Sequence, residues 1–233
     1  LVDDKKELPK TSAFPINGFI EIFNKYYNDG YHIIYMGISS KMSSTYSNAM
    51  LAKKMVDKEN RIYVIDSKNL SSGIGLLVLK AAKMALNGMD AFQIYNEVNR
   101  IVPLVRSQFM IENMDYLYKG IRCISLGHRI GTVLKIKPSI GSRDGKMDVM
   151  RKPRGKTKVA LNALLEIIEK DKYNLDQDVV MITHSKADDY ALYLNENLSD
   201  KIETKEIMIT NAGCVISSHC GKGTIGILYI LKK

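Results

Sequence analysis

The sequence predicts an α/β protein built as two lobes, a mainly parallel sheet with flanking helices in the first and a mixed sheet with helices in the second. Three observations carry this. Short apolar runs of strand length alternate with segments whose apolar residues recur at helical spacing. Strands separated by helices of this length imply right-handed βαβ units. After Lys119-Gly120 the alternation gives way to a hairpin signal and then to further helix and strand segments. The expected lobes are residues 1–124 and 125–233, dividing somewhere near 120–128.

In chain order, 18–27 reads as a helix after a loop, and 31–38 as a buried strand ending at Ser39-Ser40. A helix over 42–56 follows, with Met42, Ala49, Ala52, Met55 and Val56 at helical spacing. Residues 61–66 form a second short strand, and 73–86 an apolar helix broken at Asn87-Gly88. A third helix is expected over 91–105 and a strand over 108–112. In the second lobe, 133–140 and 146–150 pair across Ser142-Arg143-Asp144-Gly145, an Asp-Gly hairpin signature. A helix over 156–169 carries Val159, Leu161, Leu164, Leu165 and Ile168 on or near one face. A strand at 179–183, a helix at 188–198, a strand at 205–209 and the apolar run 225–231 complete the pattern. A ligand would sit most naturally between lobes, beyond the carboxyl ends of strands.

Composition excludes several classes. With 45% hydrophobic and 25% charged residues, the 233-residue chain fits a globular protein rather than a disordered one. No apolar run approaches the ~18 residues that span a bilayer. The net charge of +9 favours an anionic partner. Nucleic acid is not expected: there is no Trp, Phe is scarce and no helix-turn-helix is evident. Cys123, Cys214 and Cys220 are odd in number and form no CxxC pair, which suits a reducing cytosol and argues against a zinc ribbon. The polar start shows no secretory signal and no initiator Met, so the chain is expected to begin inside a longer protein.

Three hydroxyl-rich stretches could carry chemistry. In 38–46 a strand ends and a helix begins, so Ser43 or Ser44 could cap the helix, bind an anion, or do both. Thr11 and Ser12 lie in a loop bracketed by Pro9 and Pro15, open to the same two readings. The stretch 217–224 fails the phosphate-loop spacing, because Ile216 stands where the first glycine is required. What remains there is a Gly-rich turn presenting His219, able to donate to a carboxylate. A Cys220 nucleophile with His219 as base is disfavoured, since adjacent side chains point apart and no orienting acid is evident. A metal site from Cys214, His219 and Cys220 matches no usual spacing. His184 reads as a structural cap and His32 as a residue without a role. Residues 151–158 hold five basic side chains in eight, either a solvated helix start or a docking surface for an acidic partner.

Together these stretches resemble the DegV family of bacterial fatty-acid-binding proteins. The Lys10-Thr11-Ser12 loop resembles PKTSxPS, and ISSKMSSTYSNA from Ile38 resembles ISSxLSGTYxSA. Val64 to Gly75 resembles VIDSxxxSxGxG, 116–122 resembles YLxKGGR, 134–138 resembles LxIKP, and 218–223 resembles xHxGPG. The motifs run in order over nearly the whole chain. The resemblance implies a two-lobe fold holding one long-chain fatty acid, and no cofactor or metal. Its carboxylate would be bound by Thr11, Ser43 and His219, with Ser12, Ser44 and Arg122 as further candidates. It also implies an opening strand upstream that this chain lacks. FakB-like members are lipid-binding carriers. They present the fatty acid to an ATP-dependent fatty-acid kinase subunit, which makes an acyl phosphate for phospholipid synthesis. Arg151, Arg154 and Lys156 fit the family's basic segment and would dock that subunit. The implied location is cytoplasmic, with room for transient membrane contact. The chain departs from the pattern at Ser44 for Gly, Ile121 for Gly and Lys222 for Pro, and places His128 and Arg129 at usually apolar positions. The alternative reading is a serine- or cysteine-dependent acyl hydrolase or transferase using Ser43 or Cys220. It would need a base and an acid behind the nucleophile, and no G-x-S-x-G elbow is present.

Overall fold

The computed structural model describes residues 9–112, 116 and 137–232. They fall into two units: one comprises the chain up to Thr11 with Arg106–Arg143 and Met147–Lys233, the other Ser12–Val105 with Asp144–Lys146. The division expected after residue 124 lies outside the described residues.

The second of these units is built around a parallel pair, β1 (Ile33–Gly37) and β2 (Ile62–Asp66), in register from Ile33 opposite Ile62 to Gly37 opposite Asp66. Helix α1 (Ile16–Asn28) buries Phe19, Phe23 and Tyr27, four residues apart, on one stripe. Helix α2 (Thr45–Val56) meets it with Ala49, Ala52 and Val56. The two alanines are fully buried, and their small side chains let the helices approach. Ile62 and Val64 of β2 complete this core. Tyr35 stands edge-on to Phe19 with ring centroids 5.0 Å apart. Helix α3 (Ser72–Leu86) ends at Asn87-Gly88, where Gly88 adopts φ +85° and its N–H closes on Ala85 O. Helix α4 (Ala91–Ile101) starts with a capping box, Asp90 accepting from the Gln93 N–H and Gln93 accepting from the Asp90 N–H. It ends earlier than its periodicity suggests. Pro103 cannot continue an α-helix, so 102–104 turn as a single 3-10 turn.

The other unit is a six-stranded mixed sheet. Its strands are β3 (Val105–Met110), β4 (Ser139–Arg143), β5 (Lys146–Arg151), β6 (Val179–His184), β7 (Glu206–Asn211) and β8 (Ile225–Ile230), in the order β5-β4-β3-β8-β6-β7. β3, expected with the first lobe, pairs antiparallel with β4, Gln108 opposite Gly141. β6 runs parallel to β7 and antiparallel to β8. Helices α5 (Thr157–Asp171) and α6 (Asp188–Leu198) cover one face. Their Leu161, Leu164, Ile168, Ala191 and Leu194 pack with Val180 and Ile182 of β6 and with Ile225, Ile227 and Tyr229 of β8. The Tyr229 hydroxyl, buried in this core, donates to Asp171. Burial and that carboxylate together raise its pKa far above the ordinary phenol range. Among the described residues no helix is long and apolar enough to cross a membrane.

Candidate functional site

Thr11 and His219 are 208 residues apart in sequence and hydrogen-bonded in space, Oγ1 to Nε2 at 2.7 Å. Both belong to the unit with the six-stranded sheet. His219 sits in the last turn of a short helix, α7 (Cys214–Cys220), rather than in a Gly-rich turn. The glycines follow the helix: Gly221 (φ +76°) stops it, and Gly223 (φ +84°) turns the chain into β8. A Cβ on Gly221 would collide with the Tyr116 ring, and one on Gly223 with the Glu112 side chain, so the turn is packed as well as permissive. The last turn of a helix favours a protonated imidazole. When Nε2–H donates to Thr11, the threonine keeps its own O–H for a further acceptor, and the pair becomes a two-step donor.

The Ser43 hydroxyl is placed by the turn before α2, in the other unit. Its Oγ accepts the Thr45 N–H at 3.2 Å and lies 2.9 Å from Thr45 Oγ1. Thr45 Oγ1 in turn accepts the Phe14 N–H. If the Thr45 O–H donates its hydrogen bond to Ser43 Oγ, the Ser43 O–H is left to donate elsewhere. Ser44 occupies the N-cap position and makes no side-chain cap bond. The hydroxyl that meets the first helical N–H is thus that of Ser43 rather than Ser44, and Thr45, which residue pattern alone does not single out, holds that hydroxyl in place. Its signal was available: a third hydroxyl at the first helical position. Ser12 is exposed in its loop. Arg122, Cys123, His128 and Arg129 lie outside the described residues.

The basic segment is not uniform. Arg151 is held by Glu166 at 2.9 Å, whereas Arg154 and Lys156 are exposed, Lys156 as the residue preceding α5. His184 accepts the Ala187 N–H on Nδ1, the structural cap expected. Downstream of His219, Lys222 and Gly223 line a cavity of about 470 Å³ together with Glu112, Tyr116 and the start of α6. Lys186, Asp188 and Asp189 at that cavity make it charged with both signs, unsuited to a hydrocarbon tail.

The family model described as an uncharacterised protein of the DegV family matches residues 1–232. The chain belongs to the DegV family. A DegV domain-containing protein of Clostridium acetobutylicum is 34% identical over 232 residues, spanning 100% of this chain and 81% of the relative. A solved structure described as a DegV lipid-binding protein of Thermotoga maritima superimposes with a TM-score of 0.87 at 28% identity, covering 100% of this chain and 81% of the other. A fatty-acid-binding DegV family protein of Streptococcus agalactiae gives 0.89 at 27% identity with the same coverages. The α/β fold of this DegV chain therefore matches solved members of its family.

The Cys220 thiol of this DegV chain is not poised for catalysis. Cys220 is buried, and burial pushes its pKa up to about 11, so its nucleophilic thiolate is scarce near neutral pH. Ser43 has Thr45 as its hydrogen-bonding neighbour, with no imidazole or carboxylate bonded to its hydroxyl among the described residues. Among those residues there is also no group of three or more His, Cys, Asp or Glu side chains able to hold a metal ion.

Proposed function

We propose that this chain is a carrier that binds a long-chain fatty acid by its carboxylate and presents that head group to an ATP-dependent fatty-acid kinase subunit, feeding acyl phosphate to phospholipid synthesis. The Thr11–His219 pair carries the reading. Two residue types suited to a carboxylate, far apart in sequence, are joined at 2.7 Å. The relatives described as lipid- or fatty-acid-binding support the same ligand class. In this reading Thr11, His219 and Ser43 donate to the carboxylate, with Ser12, Ser44 and Arg122 in reserve.

The physics of such a carrier has two parts. Each buried CH2 contributes about 0.8 kcal/mol before association costs. The carboxylate must be met by several donors, because an unpaired buried charge is costly. Native mass spectrometry of the purified protein tests the ligand class: the expected result is an intact, non-covalent fatty acid, whereas a covalent acyl adduct would point to an acyl-transfer enzyme. Ser43→Ala is expected to lower fatty-acid affinity roughly 5- to 150-fold, the range for one lost donor to a buried charge. Binding equal to the parent would remove Ser43 from the site.

Arg154 and Lys156, with Arg151 beside them, form the surface we assign to the kinase subunit. Replacing all three by Glu should slow association and leave lipid affinity unchanged, with the defect shrinking as salt rises. Equal kinase-coupled turnover of parent and variant at low salt would remove the docking role. Because Arg151 also holds Glu166, the Arg154→Glu/Lys156→Glu pair serves as the cleaner control.

A further inference from the structure

The loop that presents Ser43 is anchored from a distant part of the chain. Ser39 is fully buried and ties the loop together. Its N–H donates to Asn69 O at 2.9 Å, and its carbonyl accepts the N–H groups of Met42 and Ser43 at 2.9 and 3.1 Å. Its Oγ accepts the Lys41 N–H at 3.2 Å and donates to Gly145 O at 2.7 Å. Gly145 lies 106 residues further along the chain, in the turn between β4 and β5. That turn belongs to the same unit as the loop.

The fit is close on both sides. Asp144 and Gly145 take φ of +47° and +78°, as a two-residue Asp-Gly hairpin turn requires. A Cβ at Gly145 would stand 2.6 Å from Ser39 Oγ, inside contact distance. Beside it, the Lys41 ammonium donates to Asp144 at 2.5 Å, and Lys68 stands 3.7 Å from the same carboxylate. These two cations, Lys41 first, hold the Asp144 carboxyl below its ordinary range.

We infer that Ser39 and Gly145 are positioning residues for the lipid head group: the Asp144-Gly145 turn clamps the 39–43 loop and thereby sets the direction in which Ser43 offers its hydroxyl. The inference rests on the reading of Ser43 as a carboxylate donor. Neither residue touches the ligand in this account. Ser39 acts through the Ser43 backbone, which hangs from its carbonyl. Gly145 acts through Ser39 Oγ. Loosening the clamp leaves every donor in place and spreads its direction, so the cost appears in affinity.

The test is a set of mutant cycles on the delipidated chain, with palmitate as probe and calorimetry as readout. Ser39→Ala and Gly145→Ala are each expected to lower palmitate affinity roughly 5- to 30-fold, while circular dichroism shows a folded chain. Ser39→Ala removes the clamp by deleting a hydroxyl. Gly145→Ala removes it by strain and collision, so the failure of one variant to fold leaves the other to decide. In a Ser43→Ala background both are expected to have no further effect, because the hydroxyl they orient is gone. A purely structural role would not show this non-additivity. Parental affinity for Ser39→Ala and Gly145→Ala, alongside weak binding by Ser43→Ala, would overturn the positioning role alone. Losses that multiply in the double variants would do the same. Parental affinity for Ser43→Ala would overturn the head-group reading and this inference with it.

Discussion

His219→Ala is expected to weaken fatty-acid binding roughly 5- to 150-fold and to abolish its pH dependence. The imidazole is bonded to Thr11 and placed in the last turn of α7. A carboxylate bound beside that pair favours the charged ring, so loading the protein raises the ring's pKa. The sign follows. A group whose pKa is higher in the bound state contributes fully below its free-state pKa and is lost as pH rises through its bound-state pKa. Binding therefore takes up protons, and parental affinity falls as pH rises through the ring's bound-state pKa. The variant's affinity is low and flat. Thr11→Ser should keep most of the affinity and Thr11→Ala should lose it, because in this reading the hydroxyl is the group that donates to the carboxylate. NMR titration of the ring decides the matter: the same pKa in empty and loaded protein would show that His219 only braces the turn. A brace would also make His219→Ala lower thermal stability equally with and without ligand.

Leu164→Ala is expected to destabilise the six-stranded unit by about 2–5 kcal/mol, the range for truncating a buried leucine in a packed core. Leu164 is 1% exposed. It lies on the buried face of α5 among side chains from α6, β6 and β8. Part of the loss is transfer free energy and part is the cavity that this rigid sheet-and-helix layer cannot close. Val159→Ala, on the same helix but 47% exposed, is the control and should change stability by less than about 0.5 kcal/mol. Denaturant unfolding of both variants measures the contrast, and a Leu164 effect under about 1 kcal/mol would show that α5 does not carry the core.

How much was legible beforehand depends on the range of the interaction. Helix α6 spans 188–198 as its periodicity predicts, and α2, α3 and α5 differ from expectation only at their ends. The ends differ where capping chemistry competes with periodicity: periodicity extends the helix over 42–44, and the stretch is instead the turn that holds Ser43. In the site, Thr11, Ser43 and His219 stand out from their sequence context and the family resemblance. Ser39 and Gly145 read only as a strand end and a hairpin turn, because the role argued for each runs through another residue of the protein.

The alternation of strands and helices, the Asp-Gly turn and the residue types able to meet a carboxylate are legible along the chain, because all of these are consequences of neighbours a few residues apart. Tertiary structure alone decided that β3 pairs with β4 and that a hydroxyl at position 11 reaches an imidazole at 219. It also placed the carbonyl of Gly145 where it receives the hydroxyl of Ser39. Local periodicity cannot encode such pairings. A strand's edge or a free hydroxyl is satisfied by whatever the packed chain brings within about 3 Å, and that partner is selected by the burial of whole layers rather than by spacing along the chain.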